Sequence, residues 1–254
     1  DMKNIFVIAK NTFRAAIRDR ILHGILVFAF LFILFTVFLG SISLGENLMV
    51  IRSIGLAGMY VFSLIITIVL ASSLISLEIE RRTLYLILSK PVSTKELIAG
   101  KFAGLLAAIG LIRLCRAVIY LGVVAYEGGG FDTASLVAIV MSFFEAGLFV
   151  ALVTLFSTFA TPFAATLYGM FVLYIGHSLS LLVQYVQYKT VALKIGAHIV
   201  YYIVPNLEKF NVRNAVVHHV PVTFGMVALA GLYVVLYSII VLYLAQQLLA
   251  KKDL

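Results

Sequence analysis

The sequence predicts an all-α, polytopic membrane protein with six transmembrane helices. Of its 254 residues, 63% are apolar and 12% are charged, whereas soluble domains average about 45–50% and about 25%. A soluble globule could not hide that much apolar surface, because much of any folded surface stays exposed. The apolar residues also form continuous runs, unlike the alternating strands of a β-barrel. The composition excludes a disordered chain, a nucleic-acid-binding domain and an ordinary soluble enzyme.

Six apolar runs are long enough to span a bilayer, since a spanning helix needs about 20 residues at 1.5 Å each. They cover residues 22–44, 54–77, 102–126, 134–157, 163–183 and 222–245. Little room remains for a soluble domain, so we expect one transmembrane domain over 1–254. Its parts are an interfacial helix (1–21), spans one and two (22–77), a cytoplasmic loop (78–101), spans three to five (102–183), an outer loop (184–221), and span six with a tail (222–254).

The distribution of Lys and Arg predicts the orientation of these spans. Twelve of them lie in the N-terminal segment, the second-to-third loop and the C-terminus, against five in the loops of the other side. Basic loops stay cytoplasmic, so both termini are expected in the cytoplasm of a bacterium, with the spans in the inner membrane. The first apolar run is too long for a cleavable signal peptide.

The first 21 residues predict an amphipathic helix that lies in the membrane interface. Its apolar positions recur at helical spacing, and Lys10, Arg14 and Arg18 form a row on another face. Such a basic face suits anionic membrane lipid as a partner. The alternative is a plain basic flank that only fixes the topology.

The loop between the second and third spans combines charge with an exposed apolar patch. Its charged part ends the second span, and an apolar patch at 84–88 is too short to cross a bilayer. Pro91 breaks the helix, Ser93 and Glu96 form a capping box that starts a new one, and Gly100 and Gly104 allow close packing. This predicts a cytoplasmic helix–turn–helix that docks a protein partner, because exposed apolar patches rarely persist alone. A loop that only sets topology is the alternative.

These features resemble the transmembrane (permease) subunit of bacterial ABC-2 type transporters. The resemblance lies in the basic N-terminal helix, the stretch E-I-E-R-R-T-L…S-K-P-V-S-T-K-E-L-I-A-G-K, the P-N-L-E-K-F-N-V stretch at 205–212 and the terminal K-K-D-L. Permeases for copper maturation of nitrous oxide reductase and export permeases of unknown cargo look equally similar.

The resemblance implies a cytoplasmic coupling helix that sits in a cleft of an ATP-binding subunit. The residues that it places there are Glu78, Glu80, Arg81, Arg82, Thr83, Leu84, Tyr85 and Leu88. It also implies two copies of that subunit, and a second permease subunit that is identical or paralogous. A periplasmic accessory protein is a further candidate partner, and no nucleic acid is expected.

The chain lacks a P-loop of its own. Gly100-Lys101 would need a glycine at the position held by Lys95. We therefore expect no cofactor on this chain and no enzymatic activity, with ATP and Mg²⁺ bound by the partner subunit.

Three charged residues fall inside predicted spans. Arg113 and Glu145 each lie 11 residues into their spans, which puts both about 16 Å deep from opposite sides. An intramembrane Arg–Glu ion pair is therefore expected, while Arg116, on the same helix face as Arg113, would need water, tyrosine or an anionic ligand. The arginines could line the pathway and favour an anionic cargo, or form a structural cluster with Glu145.

The outer loop predicts a short amphipathic or re-entrant helix at 191–204, ended by Pro205, that caps the pathway. His198, His218 and His219 lie in this loop, but adjacent histidines diverge on a regular element, so no metal site is expected. His177, in the fifth span, is expected to pair with a polar neighbour.

The leading functional hypothesis is the permease subunit of an ATP-driven ABC transporter, which forms the pathway as a dimer. Export is expected over import because the resembled family mostly exports. One alternative is a membrane anchor of a multi-protein complex that transports nothing itself. Another is an ion-driven secondary transporter, which would favour inverted symmetry between the halves of the chain.

Overall fold

The structure is a computed structural model that describes residues 2–43, 47–72, 92–130, 132–187, 190–218 and 220–251. This part of the chain is built from helices and contains no strand. The α-helices are α1 (Met2–Ile17), α2 (Arg20–Ile42), α3 (Asn47–Ala71), α4 (Thr94–Val124), α5 (Thr133–Ser157), α6 (Pro162–Val186), α7 (Val191–Ile203), α8 (Arg213–Val217) and α9 (Phe224–Lys251). A π-helical turn, Ala125–Gly129, extends α4, and a 3₁₀ turn, Glu208–Phe210, precedes α8.

Six of these helices are long and apolar enough to cross a membrane, namely α2, α3, α4, α5, α6 and α9. The predicted all-α, multi-pass fold is therefore confirmed. The third span begins eight residues earlier than the apolar run does, at Thr94 instead of Phe102. The capping box causes this early start, because the Ser93 hydroxyl accepts from the Glu96 amide and the Glu96 carboxylate accepts from the Ser93 amide.

Because successive spans alternate in direction, the bundle has two distinct ends. One end, which we call the near end, holds α1, the start of α4 and the end of α9. These three parts share one apolar cluster. The far end holds α7 and the start of the segment that enters the bundle from there, which contains the 3₁₀ turn and α8. The predicted outer helix at 191–204 is present as α7, and it is mostly exposed, with Ala197 as its buried residue.

The first helix packs along the start of α4 through the glycines that the sequence singled out. A side chain at Gly100 would meet Ile8 at 2.8 Å, and one at Gly104 would meet the backbone of Ala9. On α1, Thr12 and Ala16 are buried against the bundle, while Lys10 and the other members of the basic row are exposed. The predicted amphipathic helix is present, and its contact with lipid stays a prediction.

The central helix of the bundle is α5. It packs against α3, α4, α6 and α9, and 67% of its most apolar stretch is buried, against 17% for α6 and for α9. The outward faces of the peripheral spans are apolar, as a lipid-facing surface requires. A charged residue at the middle of α5 is therefore surrounded by other helices, which must supply its partners.

We expect Gly104→Ala to lower the stability of the protein by about 1–3 kcal/mol, because the added methyl group overlaps the α1 backbone. Gly122→Ala is the matched control on the same helix, since nothing lies within 4 Å of its new methyl group. Both substitutions gain the same helix propensity. Size-exclusion chromatography after a temperature ramp should give a lower midpoint for Gly104→Ala alone. Equal midpoints would contradict the close packing of α1 on α4.

Candidate functional site

A buried carboxylate lies at the middle of the bundle. Glu145 on α5 is 4% exposed. The Tyr60 hydroxyl, from α3, donates to Glu145 Oε1 over 2.7 Å, and His177 Nε2, from α6, lies 2.8 Å from the same oxygen. One carboxylate thus joins three spans. The expected polar partner of His177 is confirmed, and it is Glu145.

A segment from the far end enters the bundle down to this level. We call residues 204–217 the re-entrant segment. The Leu207 amide donates to the Gly176 carbonyl over 3.2 Å, and a side chain at Gly176 would lie 2.7 Å from the Pro205 carbonyl oxygen. Since Gly176 is ten residues before the end of α6, the segment reaches about 15 Å along that helix. A larger side chain at Gly176 would therefore collide with the re-entrant segment.

The re-entrant segment adds two charged groups to Glu145 and its partners. Glu208 Oε2 lies 3.3 Å from His177 Nδ1, so both ring nitrogens of His177 face carboxylate oxygens. Such a pair of acceptors suits a doubly protonated imidazolium. The guanidinium of Arg213 lies over the Tyr60 ring, 3.7 Å from its centre, as a cation–π contact. We call Tyr60, Glu145, His177, Glu208 and Arg213 the central cluster.

The predicted direct Arg–Glu pair is wrong. Arg113 donates to the Ser142 hydroxyl over 2.9 Å, and Arg116 donates to the Met59 carbonyl over 2.6 Å and to the Ser63 hydroxyl. The carboxylate of Glu145 instead pairs with His177. Matching depth fixes only the level of two residues along their helices, and the direction of each side chain around its helix decides the pairing.

Two small cavities adjoin Arg113, and both are lined by Tyr60 and Ser142 as well. The first is also lined by Glu145, and the second by Ser63 and Arg213. Each has a volume of about 10 Å³, which is room for about one water molecule. At this level the described spans therefore leave little space between the side chains around Arg113.

A second ion pair lies nearer the far end. Arg52 Nε is 2.8 Å from Asp132 Oδ2, and the amide and hydroxyl of Ser135 donate to the same carboxylate at the start of α5. Burial raises the pKa of Asp132, but the Ser135 hydrogen bonds and the Arg52 charge lower it further, so its pKa lies below the ordinary value of 3.8. This cap fixes the entry of α5.

The coupling residues predicted at Glu78, Glu80, Arg81, Arg82, Thr83, Leu84, Tyr85 and Leu88 lie outside the described residues. Their described flanks are the end of α3 and the start of α4, which both lie at the near end.

The residues 6–254 match the sequence model of a family described as ABC-2 family transporter protein. The chain belongs to the ABC-2 transporter family. Among curated proteins, none matches it. The resemblance drawn from the loop and from the 205–212 stretch is thereby confirmed, and the membership supports a permease subunit of an ABC transporter, which associates with ATP-binding subunits. The six spans make it a multi-pass membrane protein. In this ABC-2 protein, the 205–212 stretch forms the inner part of the re-entrant segment.

The sequence predicts three charged residues near the site, Arg113, Arg116 and Glu145, but not most of their partners. Tyr60, Ser63 and Ser142 give no linear signal, because a single hydroxyl is common in a span. Glu208 and Arg213 lie in a loop whose depth in the bundle could not be predicted. The one usable signal was Gly176, a small residue at the level of His177 that marks a close approach.

We expect Glu145→Gln and His177→Gln to be coupled, because each removes the charged group that the other residue contacts over 2.8 Å. A double-mutant cycle on thermal stability should give a coupling energy of about 1–3 kcal/mol. The matched control pairs Glu145→Gln with His198→Gln, since His198 is exposed on α7 and bonds within its own helix. Additive effects for the 145/177 pair would refute the contact.

We expect Asp132→Asn to lower stability at neutral pH, because it removes the charge that pairs with Arg52 while keeping a capping oxygen. The carboxylate has a lowered pKa in the folded state, so its contribution is present above the unfolded pKa and is lost as pH falls through the folded pKa. Melting temperatures measured from pH 7 down to about pH 2 should therefore differ at neutral pH and converge below the unfolded pKa of about 3.9. A constant difference at all pH values would contradict the ion pair.

Proposed function

We propose that this chain is the membrane-spanning subunit of an ATP-driven ABC exporter, working as a dimer above two ATP-binding subunits. The observation that carries the proposal is the family match over nearly the whole chain. The six spans and the absence of a P-loop support it. A partner subunit must then supply the energy by hydrolysing ATP. This chain must convert that energy into a change in which side of the membrane the pathway opens to.

The proposed entry point for that energy is the 78–88 stretch. Its two flanks lie at the near end, where α4 is fixed to α1 by Gly100 and Gly104. A displacement of the loop would therefore move α3, α4 and α1 together. The excess of Lys and Arg at this end favours its placement in the cytoplasm, with the spans in a bacterial inner membrane.

The proposed point of switching is the central cluster. It joins α3, α5, α6 and the re-entrant segment through Glu145 and His177. A rigid-body shift of α3 or α6 must break or exchange these contacts, as discrete access states require. Arg113 and Arg116 lie beside the cluster, so we assign Arg113, Arg116 and Glu145 to the narrow centre of the pathway.

The test is affinity purification of the tagged full chain in mild detergent, with mass spectrometry and an ATPase assay on the eluate. We expect a stoichiometric ATP-binding subunit, and Glu80→Ala or Leu84→Asp should reduce its recovery or its coupled ATPase activity. Glu127→Ala, an acidic residue of the π-helical turn at the far end, is the matched control and should change neither.

A chain that purifies alone, with no nucleotide-hydrolysing partner, would overturn the proposal. That outcome favours the anchor or the secondary-transporter alternative. In another outcome, neither loop variant changes the recovery or the ATPase activity of a co-purified ATP-binding subunit. That result would support the transporter function and overturn the assignment of the coupling residues.

A further inference from the structure

An apolar groove lies on the side of the bundle between α4, α5 and α9. Its volume is about 260 Å³. Phe102 and Leu106 of α4 form one wall, and Gly147 of the central helix lies at the floor, where it is buried. On α9 the rim includes Val235 and Ile239, which are 55% and 59% exposed. The groove therefore opens onto the face of the bundle that meets the hydrocarbon of the membrane.

The described lining of this groove is almost entirely apolar. Ser238 is its one polar member, and the hydroxyl oxygen of that residue is buried. A cavity of about 150 Å³ with an apolar lining stays dry and binds an apolar molecule. A polar or charged ligand has no group to hold it here, whereas an empty groove would lose the dispersion contacts of its walls. The chemistry therefore favours a hydrocarbon occupant.

The shape of the groove favours a chain over a side chain. On α9 the lining extends from Gly231 to Leu242, which is about 16 Å along the helix. On α5 it covers one turn at the level of Glu145, from Phe143 to Gly147. Half of the hydrocarbon core of a bilayer is about 15 Å thick. A slot of this length along a span suits part of an acyl chain, whereas a neighbouring helix inserts single side chains into separate holes.

A cation lies where the head group of such a lipid would be. Lys95, in the first turn of α4, is exposed. It precedes Phe102 by seven residues, or two helical turns, so it shares the face of α4 that lines the groove and lies about 10 Å closer to the near end. A lysine at a membrane surface attracts anionic head groups.

We propose that the groove holds one acyl chain of an anionic phospholipid from the leaflet at the near end, with its phosphate beside Lys95. The distal part of the chain fills the space over Gly147, in contact with the central helix. This lipid is a resident component of the folded protein. The proposal is independent of the cargo and of the ATP-binding partner.

The test is quenching of a single tryptophan by brominated phosphatidylglycerol, in phosphatidylcholine vesicles that hold the full chain. The sequence contains no tryptophan, so Ile239→Trp places one reporter at the rim. Ile240→Trp is the matched control, because Ile240 is 60% exposed on the same helix and lies outside the described lining. Half-maximal quenching of Ile239→Trp should need about fivefold less brominated lipid, equivalent to about 1 kcal/mol for one lysine at an anionic head group.

Two substitutions then separate the chain site from the head-group site. A methyl group at Gly147 would meet Leu106 and Val234 at 3.6 Å, which is ordinary contact, so Gly147→Leu fills the groove and should abolish the difference between the reporters. Gly122→Leu adds the same side chain where nothing lies within 4 Å and should preserve it. Lys95→Gln should abolish the fivefold advantage of phosphatidylglycerol.

Three results would overturn the proposal. Equal quenching of the two reporters would leave ordinary bilayer lipid as the contact of the groove. A reporter at position 239 that no amount of brominated lipid quenches would indicate that a second protein covers the groove. A difference that persists in monodisperse Gly147→Leu would show that the chain does not occupy the space over the glycine.

Discussion

The arrangement of this protein depends on one buried carboxylate. Glu145 lies halfway along the central helix and is 4% exposed, and the α5 backbone uses its own hydrogen bonds. Its partners therefore come from α3 and α6, and the contact with α6 brings in the re-entrant segment through the second nitrogen of His177. Apolar surfaces of neighbouring spans could pack in several registers, whereas a shared carboxylate fixes one register and one direction for each helix.

The two arginines of α4 are also buried charges, but their hydrogen bonding differs from that of Glu145. They are as buried as Glu145, yet they bond to hydroxyl and carbonyl oxygens and leave donors unused. Glu145 Oε1 has two described partners, whereas Arg113 Nε, Arg116 Nε and Arg116 Nη1 have none. The two sides of the centre therefore differ in how completely their polar groups are hydrogen-bonded.

The sequence predicted the fold well and the site only in part. Span lengths, the capping box at Ser93 and the glycines on α4 depend on local chemistry, so they could be predicted from neighbouring residues. The ion pair of Glu145 could not, because helix rotation and the path of the 204–217 segment are settled by packing between elements distant in sequence. Depth along a helix placed Arg113 at the correct level, and it gave no information on whether Ser142 or Glu145 would be its partner.

The close packing of α1 on Gly100 and Gly104 has a mechanical consequence. With no room between the two backbones, the sixteen residues of α1 and the first turns of α4 would move together. Arg113 lies nine residues beyond Gly104, about 14 Å along the same rigid rod. Ile8 faces Gly100 and Thr12 faces Gly104, so α1 runs alongside α4 and not across it. A displacement of α1 would therefore carry α4, and Arg113 with it, in the same direction.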